Sequence, residues 1–223
     1  NEIYEILSMT GFTELIDVKK AFREISVDGC EKIGHGSNGD VYRIDEDTIV
    51  KVYKKSNALD EIENERSLAR KAFVLGIPTA IPYDVVKVNE YYGSVFELLN
   101  AKSYSDLINE GASLEELVKK SVSVLKLIHS KKLKDGELPS RKDSAIKWVK
   151  ACKDLLPKEV YDKAYKMICD IPECNSIVHG DYHIKNIMEQ NGELLLIDMD
   201  SLSLGHPIFE FSRIFSTYEG YCC

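Results

Sequence analysis

The residues with the clearest chemical potential lie between Ile177 and Asp200. This stretch contains two carboxylates and one amide, in the order Asp181, Asn186 and Asp198. All three offer hard oxygen atoms, which suit Mg²⁺ when it binds together with substrate phosphates. Apolar runs bounded by the Asn-Gly pair at 191–192 predict two short strands of a hairpin. Such a hairpin would bring the three side chains to one edge, although solvated acids in an ordinary turn give a similar pattern.

A glycine-rich element lies nearer the beginning of the chain. Its glycines follow a Gly-x-Gly-x-x-Gly pattern, and the β-rich run Val41-Tyr-Arg-Ile44 comes soon after the third glycine. This spacing opens a helix in dinucleotide-binding folds but joins two strands over the ATP phosphates in kinases. The absence of a helical period after Gly39 favours the kinase arrangement, with an ordinary glycine-rich hairpin as the structural alternative. The residues predicted to contact nucleotide here are Gly34, Gly36, Ser37, Gly39 and Val41.

Lys51 lies inside an apolar β-rich run, where a lysine either faces solvent on an edge strand or is held near a ligand. In protein kinases the corresponding strand carries the lysine that contacts the α- and β-phosphates. Residues 58–75 form a predicted helix with one apolar face, ended by Gly76. Of two acids one turn apart on this helix, Glu65 lies nearer that face than Glu61. Glu65 is therefore the predicted partner of Lys51, with surface acids as the alternative.

Several phrases together resemble the aminoglycoside phosphotransferase and choline kinase families, which are small-molecule kinases with a protein-kinase-like fold. They are His179-Gly-Asp181, Ile197-Asp-Met-Asp200 and Gly76-Ile-Pro-Thr-Ala-Ile-Pro82. The resemblance implies a two-lobed α+β fold, with an antiparallel five-stranded sheet and one long helix in the first lobe. It implies a nucleotide-binding lobe over residues 1–99 and a mainly helical catalytic and substrate lobe over residues 100–223.

The resemblance also implies a role for each charged residue. Asp181 would orient and deprotonate the acceptor hydroxyl. Asn186 and Asp198 would hold Mg²⁺ on the β- and γ-phosphates of ATP or GTP. Lys51 would steady the phosphates, and Glu65 would steady Lys51. Catalysis would then consist of positioning and electrostatic stabilisation, without a covalent intermediate.

Two further segments resemble the family less closely. Backbone groups near Glu97 and Leu99, at the end of a predicted strand, would bind adenine, with a plain edge strand as the alternative. The segment after Asp200 resembles the family's Gly-Asp-Pro-x-x-Asp-Leu-Ala, but His206 and Glu210 replace the two aspartates. These departures leave Glu210 without an assigned role. Related enzymes usually continue through further helices, so we expect either a minimal second lobe or a missing C-terminal part.

The composition and charge of the chain limit the kinds of molecule that it is expected to bind. With 223 residues, 44% of them hydrophobic and 30% charged, the chain has the composition of a soluble globular protein. The formal charge of −8 disfavours nucleic acid or an anionic membrane as partner. No apolar run approaches membrane-spanning length. Six cysteines without metal-binding spacing favour free thiols in a reducing cytoplasm. The sequence carries no signature of oligomeric state.

Two other functional classes fit the sequence less well than a small-molecule kinase does. A non-catalytic nucleotide-binding pseudokinase would usually have lost Lys51, Asp181, Asn186 or Asp198, and none of these is lost. A protein kinase is disfavoured by the small size, by the His-Gly-Asp phrase and by the lack of an Ala-Pro-Glu phrase after Asp198.

The expected acceptor is a hydroxyl group on a small molecule. We expect this molecule to be cationic, such as an amino alcohol or an aminoglycoside, since the chain is acidic, although many enzymes with neutral substrates are acidic too. Acidic and aromatic side chains that could bind an ammonium group are Asp200, Glu210, Glu219, Tyr218, Tyr221 and Trp148.

Overall fold

The computed structural model describes residues 2–11, 21–36, 39–55 and 58–221. The chain divides into two units, one of Asn1–Arg70 with Ala80–Leu99 and the other of Lys71–Thr79 with Asn100–Cys223. Both contain strands and helices, so the predicted α+β class is confirmed. Within the described ranges, no helix combines the length and the apolar character needed to cross a membrane.

The first unit is built on one sheet. Its elements are α1 (Glu2–Met9), β1 (Arg23–Glu24), β2 (Glu31–His35), β3 (Gly39–Arg43), β4 (Thr48–Tyr53), most of α2 (Leu59–Val74), β5 (Pro82–Val88) and β6 (Tyr91–Glu97). The strand order is β1-β5-β6-β4-β3-β2. All neighbouring strands are antiparallel except β1 and β5, which are parallel. The predicted five-stranded sheet thus gains a sixth strand, whose two residues are too few to show the alternation that identifies a strand.

Alternation along β4 decides which side chains face α2. Val50 packs in a buried cluster with Val86 and Val95. Tyr53 belongs to a different buried cluster, which it shares with Ile62 of α2. Since successive side chains of a strand point to opposite faces, Lys51 shares the α2 side of the sheet with Tyr53.

The second unit combines helices with short strands. Its named elements are β7 (Lys102–Ser103), α3 (Tyr104–Asn109), α4 (Leu114–Ser130), α5 (Arg141–Ala151), α6 (Lys158–Cys169), β8 (Ile177–Val178), β9 (Ile187–Gln190), β10 (Glu193–Leu196), β11 (Ser203–Leu204) and α7 (Ile208–Tyr221). β9 and β10 form an antiparallel hairpin through Asn191 and Gly192, whose φ angles of 53° and 86° suit a primed turn. β7 extends this sheet beside β9.

The apolar pair Ile177–Val178 does not belong to that hairpin. It forms β8, which pairs with β11 in a separate two-stranded sheet. The polar residues therefore lie in two connecting segments, residues 179–186 after β8 and residues 197–202 after β10. A hydrogen bond from the Ile197 amide to the Asn186 carbonyl, 3.1 Å long, joins these two segments.

Candidate active site

A partly buried ion pair in the first unit joins Lys51 to α2. The Nζ atom of Lys51 lies 2.9 Å from Oε1 of Glu65, which is 5% exposed. The hydroxyl of Tyr53 donates a hydrogen bond to the other oxygen of Glu65. The alternative acid, Glu61, is exposed and lies 3.8 Å from Lys55. The structure therefore brings together the pair predicted from the sequence and adds Tyr53 to it.

The glycine-rich segment connects β2 to β3. Gly34 lies in β2, while Gly39 and Val41 lie in β3, and the Gly36 amide donates to the Gly39 carbonyl at 2.9 Å. A Cβ atom on Gly39 would lie 2.4 Å from the carbonyl oxygen of Val52, so no larger residue fits there.

Val41 and Ser37 are the other two predicted nucleotide-binding residues of this segment. Val41 is the β-sheet partner of Lys51 across β3 and β4, which places the glycine segment beside the ion pair. Ser37 lies outside the described residues.

The predicted adenine-binding strand ends at Glu97, the last residue of β6. The Glu97 amide donates to the Ile81 carbonyl at 3.0 Å, and the Glu97 carboxylate accepts from the Ile81 amide at 3.3 Å. In this conformation the Glu97 amide is therefore committed to the protein. The prediction that backbone groups near Glu97 and Leu99 bind adenine depends on the remaining backbone groups of this segment.

In the second unit, Asp181 and Asn186 lie together on the segment after β8. The Asn186 side-chain nitrogen donates to the Asp181 carbonyl at 3.0 Å and to Asp181 Oδ2 at 3.2 Å. Asn186 is 6% exposed. Because its nitrogen faces Asp181, its side-chain oxygen is the atom left for a cation.

Asp198 follows β10 in a conformation that few residues other than glycine adopt. Its φ and ψ angles are both 65°, in the left-handed region. The preceding residue, Ile197, is hydrogen-bonded to the Asn186 backbone. Strained backbone of this kind is common at functional sites, where neighbouring contacts maintain it.

Asn186 and Asp198 offer amide and carboxylate oxygens, which are the hard ligands that Mg²⁺ prefers. Mg²⁺ in nucleotide sites takes one or two protein ligands and completes its octahedron with phosphate oxygens and water. In the described ranges, no group of three or more His, Cys, Asp or Glu side chains is arranged to hold a metal ion.

His179 is a buried neutral imidazole that links both segments. Burial lowers the pKa of His179 and outweighs the attraction of nearby carboxylates. Its Nδ1 accepts a hydrogen bond from the Asp181 amide at 3.3 Å, and its Nε2 lies 3.2 Å from the Ile197 carbonyl. The Nε2 atom must therefore carry the proton. His179 positions the backbone next to Asp181 and Asp198.

Glu210 of α7 forms hydrogen bonds to the same segment, although it lies about 30 residues later in the sequence. Its carboxylate is fully buried and accepts hydrogen bonds from the amides of His179, at 2.6 Å, and Gly180, at 3.1 Å. Burial acts to raise the pKa of Glu210, but the His129 side chain and the hydrogen bonds from the two amides outweigh burial, so the pKa of Glu210 lies below its ordinary value. Since it is 0% exposed, Glu210 is not positioned to bind an acceptor.

Arg213, one turn after Glu210 on α7, contacts Asp181 directly. Its Nε and Nη2 atoms lie 2.8 and 2.6 Å from Asp181 Oδ1. His183 Nε2 lies 3.3 Å from Asp181 Oδ2. His183 and then Arg213 hold the pKa of Asp181 far below its ordinary value, and burial offsets this only in part. Asp181 is therefore an ionised hydrogen-bond acceptor at neutral pH.

The phosphotransferase enzyme family (APH) matches the sequence over residues 29–220. The chain belongs to this family. The predicted resemblance is thereby confirmed, and with it the assignment as a phosphotransferase. The sequence has no significant match among curated protein sequences.

Solved structures of the family share the fold at low sequence identity. A thermostable mutant of aminoglycoside phosphotransferase APH(4)-Ia in its apo form has a TM-score of 0.66 at 15% identity, over 86% of this chain and 73% of that one. ADP-bound APH(2″)-Ib has a TM-score of 0.57 at 20% identity, over 96% and 75%. A choline/ethanolamine kinase family protein from Mesorhizobium loti has a TM-score of 0.56 at 15% identity, over 82% and 62%. The predicted kinase-like fold is confirmed.

Sequence reasoning missed the contacts by which Glu210 and Arg213 of α7 hold the segment that carries Asp181 in this phosphotransferase. A signal for Glu210 was present, because a lone acid flanked by Phe209 and Phe211 begins an apolar helix. A charge at such a position is buried only if it is paired or hydrogen-bonded. For Arg213 we find no comparable signal, since its contact depends on how α7 is oriented within the unit.

Proposed function

We propose that this protein transfers the γ-phosphate of ATP or GTP to a hydroxyl group of a small molecule, with Mg²⁺ as cofactor. The observation that carries the proposal is the arrangement around Asp181 and Asn186. An ionised carboxylate lies 3.2 Å from an amide whose oxygen is left to bind a cation, and Asp198 follows a residue bonded to that same asparagine. A carboxylate beside two hard oxygen ligands is the constellation expected for phosphoryl transfer to an alcohol.

Asp181 would orient the acceptor hydroxyl and receive its proton. The hydroxyl oxygen attacks the γ-phosphorus, the bond from that phosphorus to the bridging oxygen breaks, and the nucleoside diphosphate leaves. Asn186 and Asp198 would hold Mg²⁺, which supplies positive charge to the β- and γ-phosphate oxygens when bound. Because the Asp181 pKa is low, its main contribution is orientation of the hydroxyl, with proton transfer late in the reaction.

The first unit would act as the nucleotide-binding lobe and the second as the catalytic and substrate lobe. Lys51, fixed by Glu65, would contact the α- and β-phosphates. The remaining proposed nucleotide contacts are Gly34, Gly36, Ser37, Gly39, Val41, Glu97 and Leu99. ADP-bound APH(2″)-Ib and an amicoumacin kinase bound to AMP-PNP support a nucleotide co-substrate.

Calorimetry with ATP and GTP, each with Mg²⁺ and with EDTA, tests nucleotide binding. We expect measurable affinity that depends on Mg²⁺, and equal affinity in both conditions would contradict the metal assignment. Release of ADP in the presence of a library of small alcohols then tests transfer. Nucleotide binding without ADP release above the rate of water-dependent hydrolysis would instead support a non-catalytic binding protein, and phosphorylation of protein substrates alone would support a protein kinase.

A further inference from the structure

The carboxylate of Asp181 is fully occupied by donors. Two Arg213 nitrogens lie within 2.8 Å of Oδ1, while Asn186 and His183 nitrogens lie 3.2 and 3.3 Å from Oδ2. An ionised carboxylate offers about four lone-pair positions. All of them are used, so the hydroxyl of an acceptor can reach Asp181 only if one donor gives up its position.

Arg213 is the donor least held by other contacts. Asn186 is 6% exposed and also bonds the Asp181 carbonyl. His183 accepts the Lys185 amide on Nδ1, at 3.2 Å, which fixes the ring and leaves the proton on Nε2 facing Asp181. The Arg213 side chain is 42% exposed, and its one ion pair among the described residues is with Asp181. Arg213 is therefore the donor whose displacement by an acceptor hydroxyl would break the fewest other contacts.

The displaced guanidinium needs a new anionic partner beside the acceptor. A charge-assisted bond lost near a half-buried site is costly unless it is replaced. Arg141 adds a second cation to the same segment, since its Nη2 donates to the Gly180 carbonyl at 3.1 Å. An ammonium group on the acceptor would meet these cations, whereas a carboxylate or phosphate would form a forked pair with Arg213.

We propose that Arg213 determines specificity for an acceptor that carries an anionic group, a carboxylate or a phosphate, close to the hydroxyl that is phosphorylated. This inference rests on the proposed function, because it concerns the acceptor of the same reaction. Arg213 bonds Asp181 when the acceptor is absent and bonds the acceptor's anion when it is present. Arg213 therefore occupies the Asp181 carboxylate until an alcohol with a suitable anionic group binds.

A matched set of acceptors tests the proposal. Glycerate, glycerol phosphate, glycerol and aminopropanediol share a three-carbon alcohol and differ in one substituent, which is a carboxylate, a phosphate, a hydroxyl or an ammonium group. ADP release is measured with each, for the unchanged chain, Arg213→Gln and Arg213→Lys. Lys119→Gln is the control, because Lys119 is an exposed cation on α4 of the same unit that pairs only with neighbouring Glu115 in the described structure.

We expect one or both acids to be used better than aminopropanediol, by about 10- to 100-fold in kcat/KM, the usual size of a charge-assisted hydrogen bond. The two acids show whether a carboxylate or a phosphate is preferred. Arg213→Gln should raise KM for the preferred acid by a similar factor and leave KM for ATP unchanged. Arg213→Lys should restore part of the discrimination, and Lys119→Gln should behave like the unchanged chain.

Preference of the unchanged chain for aminopropanediol, or no use of either acid, overturns the proposal. An equal fall in kcat with all four acceptors in Arg213→Gln also overturns it, because Arg213 would then act on the transferred phosphoryl group. An equal rise in kcat with all four acceptors overturns the proposal as well, because Arg213 would then only block access to Asp181. Calorimetry of ATP binding distinguishes failure of this inference from failure of the proposed function. If the protein binds ATP and transfers phosphate to amines, only this inference is wrong. If it neither binds ATP nor transfers phosphate, the proposed function is wrong.

Discussion

The two charged centres of this protein are held in different ways. In the first unit, Lys51 and Glu65 project from a strand and a helix, and they meet directly at 2.9 Å. In the second unit, Asp181 lies on a connecting segment, and that segment is bonded to Glu210 and Arg213, which follow it by about 30 residues. The first centre depends on regular secondary structure, the second on one distant helix.

This difference predicts where each centre is vulnerable. A strand and a helix direct their side chains by their own repeats, so the loss of one contact leaves the others in place. A connecting segment has no such repeat, and its backbone amides must be satisfied by specific partners. Changes at α7 should therefore disturb Asp181 more than changes around Lys51 disturb the first unit.

The largest expected effect is that of Asp181→Asn on turnover. An amide cannot accept the hydroxyl proton, so we expect kcat to fall by about 10²–10⁴-fold, the range for general acid–base groups. ATP affinity, measured by calorimetry, should remain nearly unchanged. Asp170→Asn is a matched control, because Asp170 is an exposed carboxylate of the same unit paired with Lys166. Loss of folding in Asp181→Asn, seen by circular dichroism, would show that Asp181 is a structural turn residue instead.

Lys51→Met should reduce turnover by about 10²–10³-fold, the usual cost of removing one charged or polar group that stabilises a transition state. Methionine preserves the length of the side chain but removes the charge that Glu65 positions. Steady-state ADP release with saturating acceptor measures the effect. Lys55→Met, which removes an exposed lysine beside Glu61, is the control and should be neutral. Unaltered turnover in Lys51→Met would exclude Lys51 from the reaction.

Glu210→Gln should lower the free energy of unfolding by about 1–3 kcal/mol, because the buried amides of His179 and Gly180 lose a charged acceptor. Chemical denaturation measures the change, with Glu193→Gln as the control, because Glu193 is an exposed residue at the start of β10. We also expect kcat to fall, since Asp181 directly follows these amides. An unchanged stability and kcat would show that the segment is held without Glu210.

The same variant gives a pH dependence with a defined sign. The pKa of Glu210 is lower in the folded chain than its ordinary value, so the folded state binds fewer protons than the unfolded state. Its contribution to stability is present above the ordinary glutamate pKa of about 4.3 and is lost as the pH falls through the lower folded value. The stability difference between the unchanged chain and Glu210→Gln should therefore shrink below about pH 4.

The regular elements of both units could be predicted from the sequence, since periodicity and the Asn-Gly turn are local. The helix predicted over 58–75 is observed at Leu59–Val74, and the hairpin turn lies at Asn191 and Gly192. The pairing of β8 with β11 and the contact of Arg213 with Asp181 could not be predicted, because both join residues far apart in the chain. The Arg213 contact that occupies the Asp181 carboxylate is therefore a long-range property of the fold.

The smallest expected effect, that of Tyr53→Phe, tests the comparison most directly. Tyr53 donates to Oε2 of Glu65, while Lys51 Nζ lies 2.9 Å from Oε1. Removing that hydroxyl should cost about 0.5–1.5 kcal/mol of unfolding free energy and leave KM for ATP unchanged, because Lys51 still holds Glu65. Tyr91→Phe, on the exposed end of β6, is the matched control. If Tyr53→Phe destabilises the chain as much as Glu210→Gln and also raises KM for ATP, then the position of Lys51 depends on one added hydrogen bond to Glu65, as the segment around Asp181 depends on its contacts with α7. A small and purely structural effect would instead mean that strand and helix direct Lys51 by themselves, which leaves α7 as the element whose contacts decide whether the phosphotransferase is active.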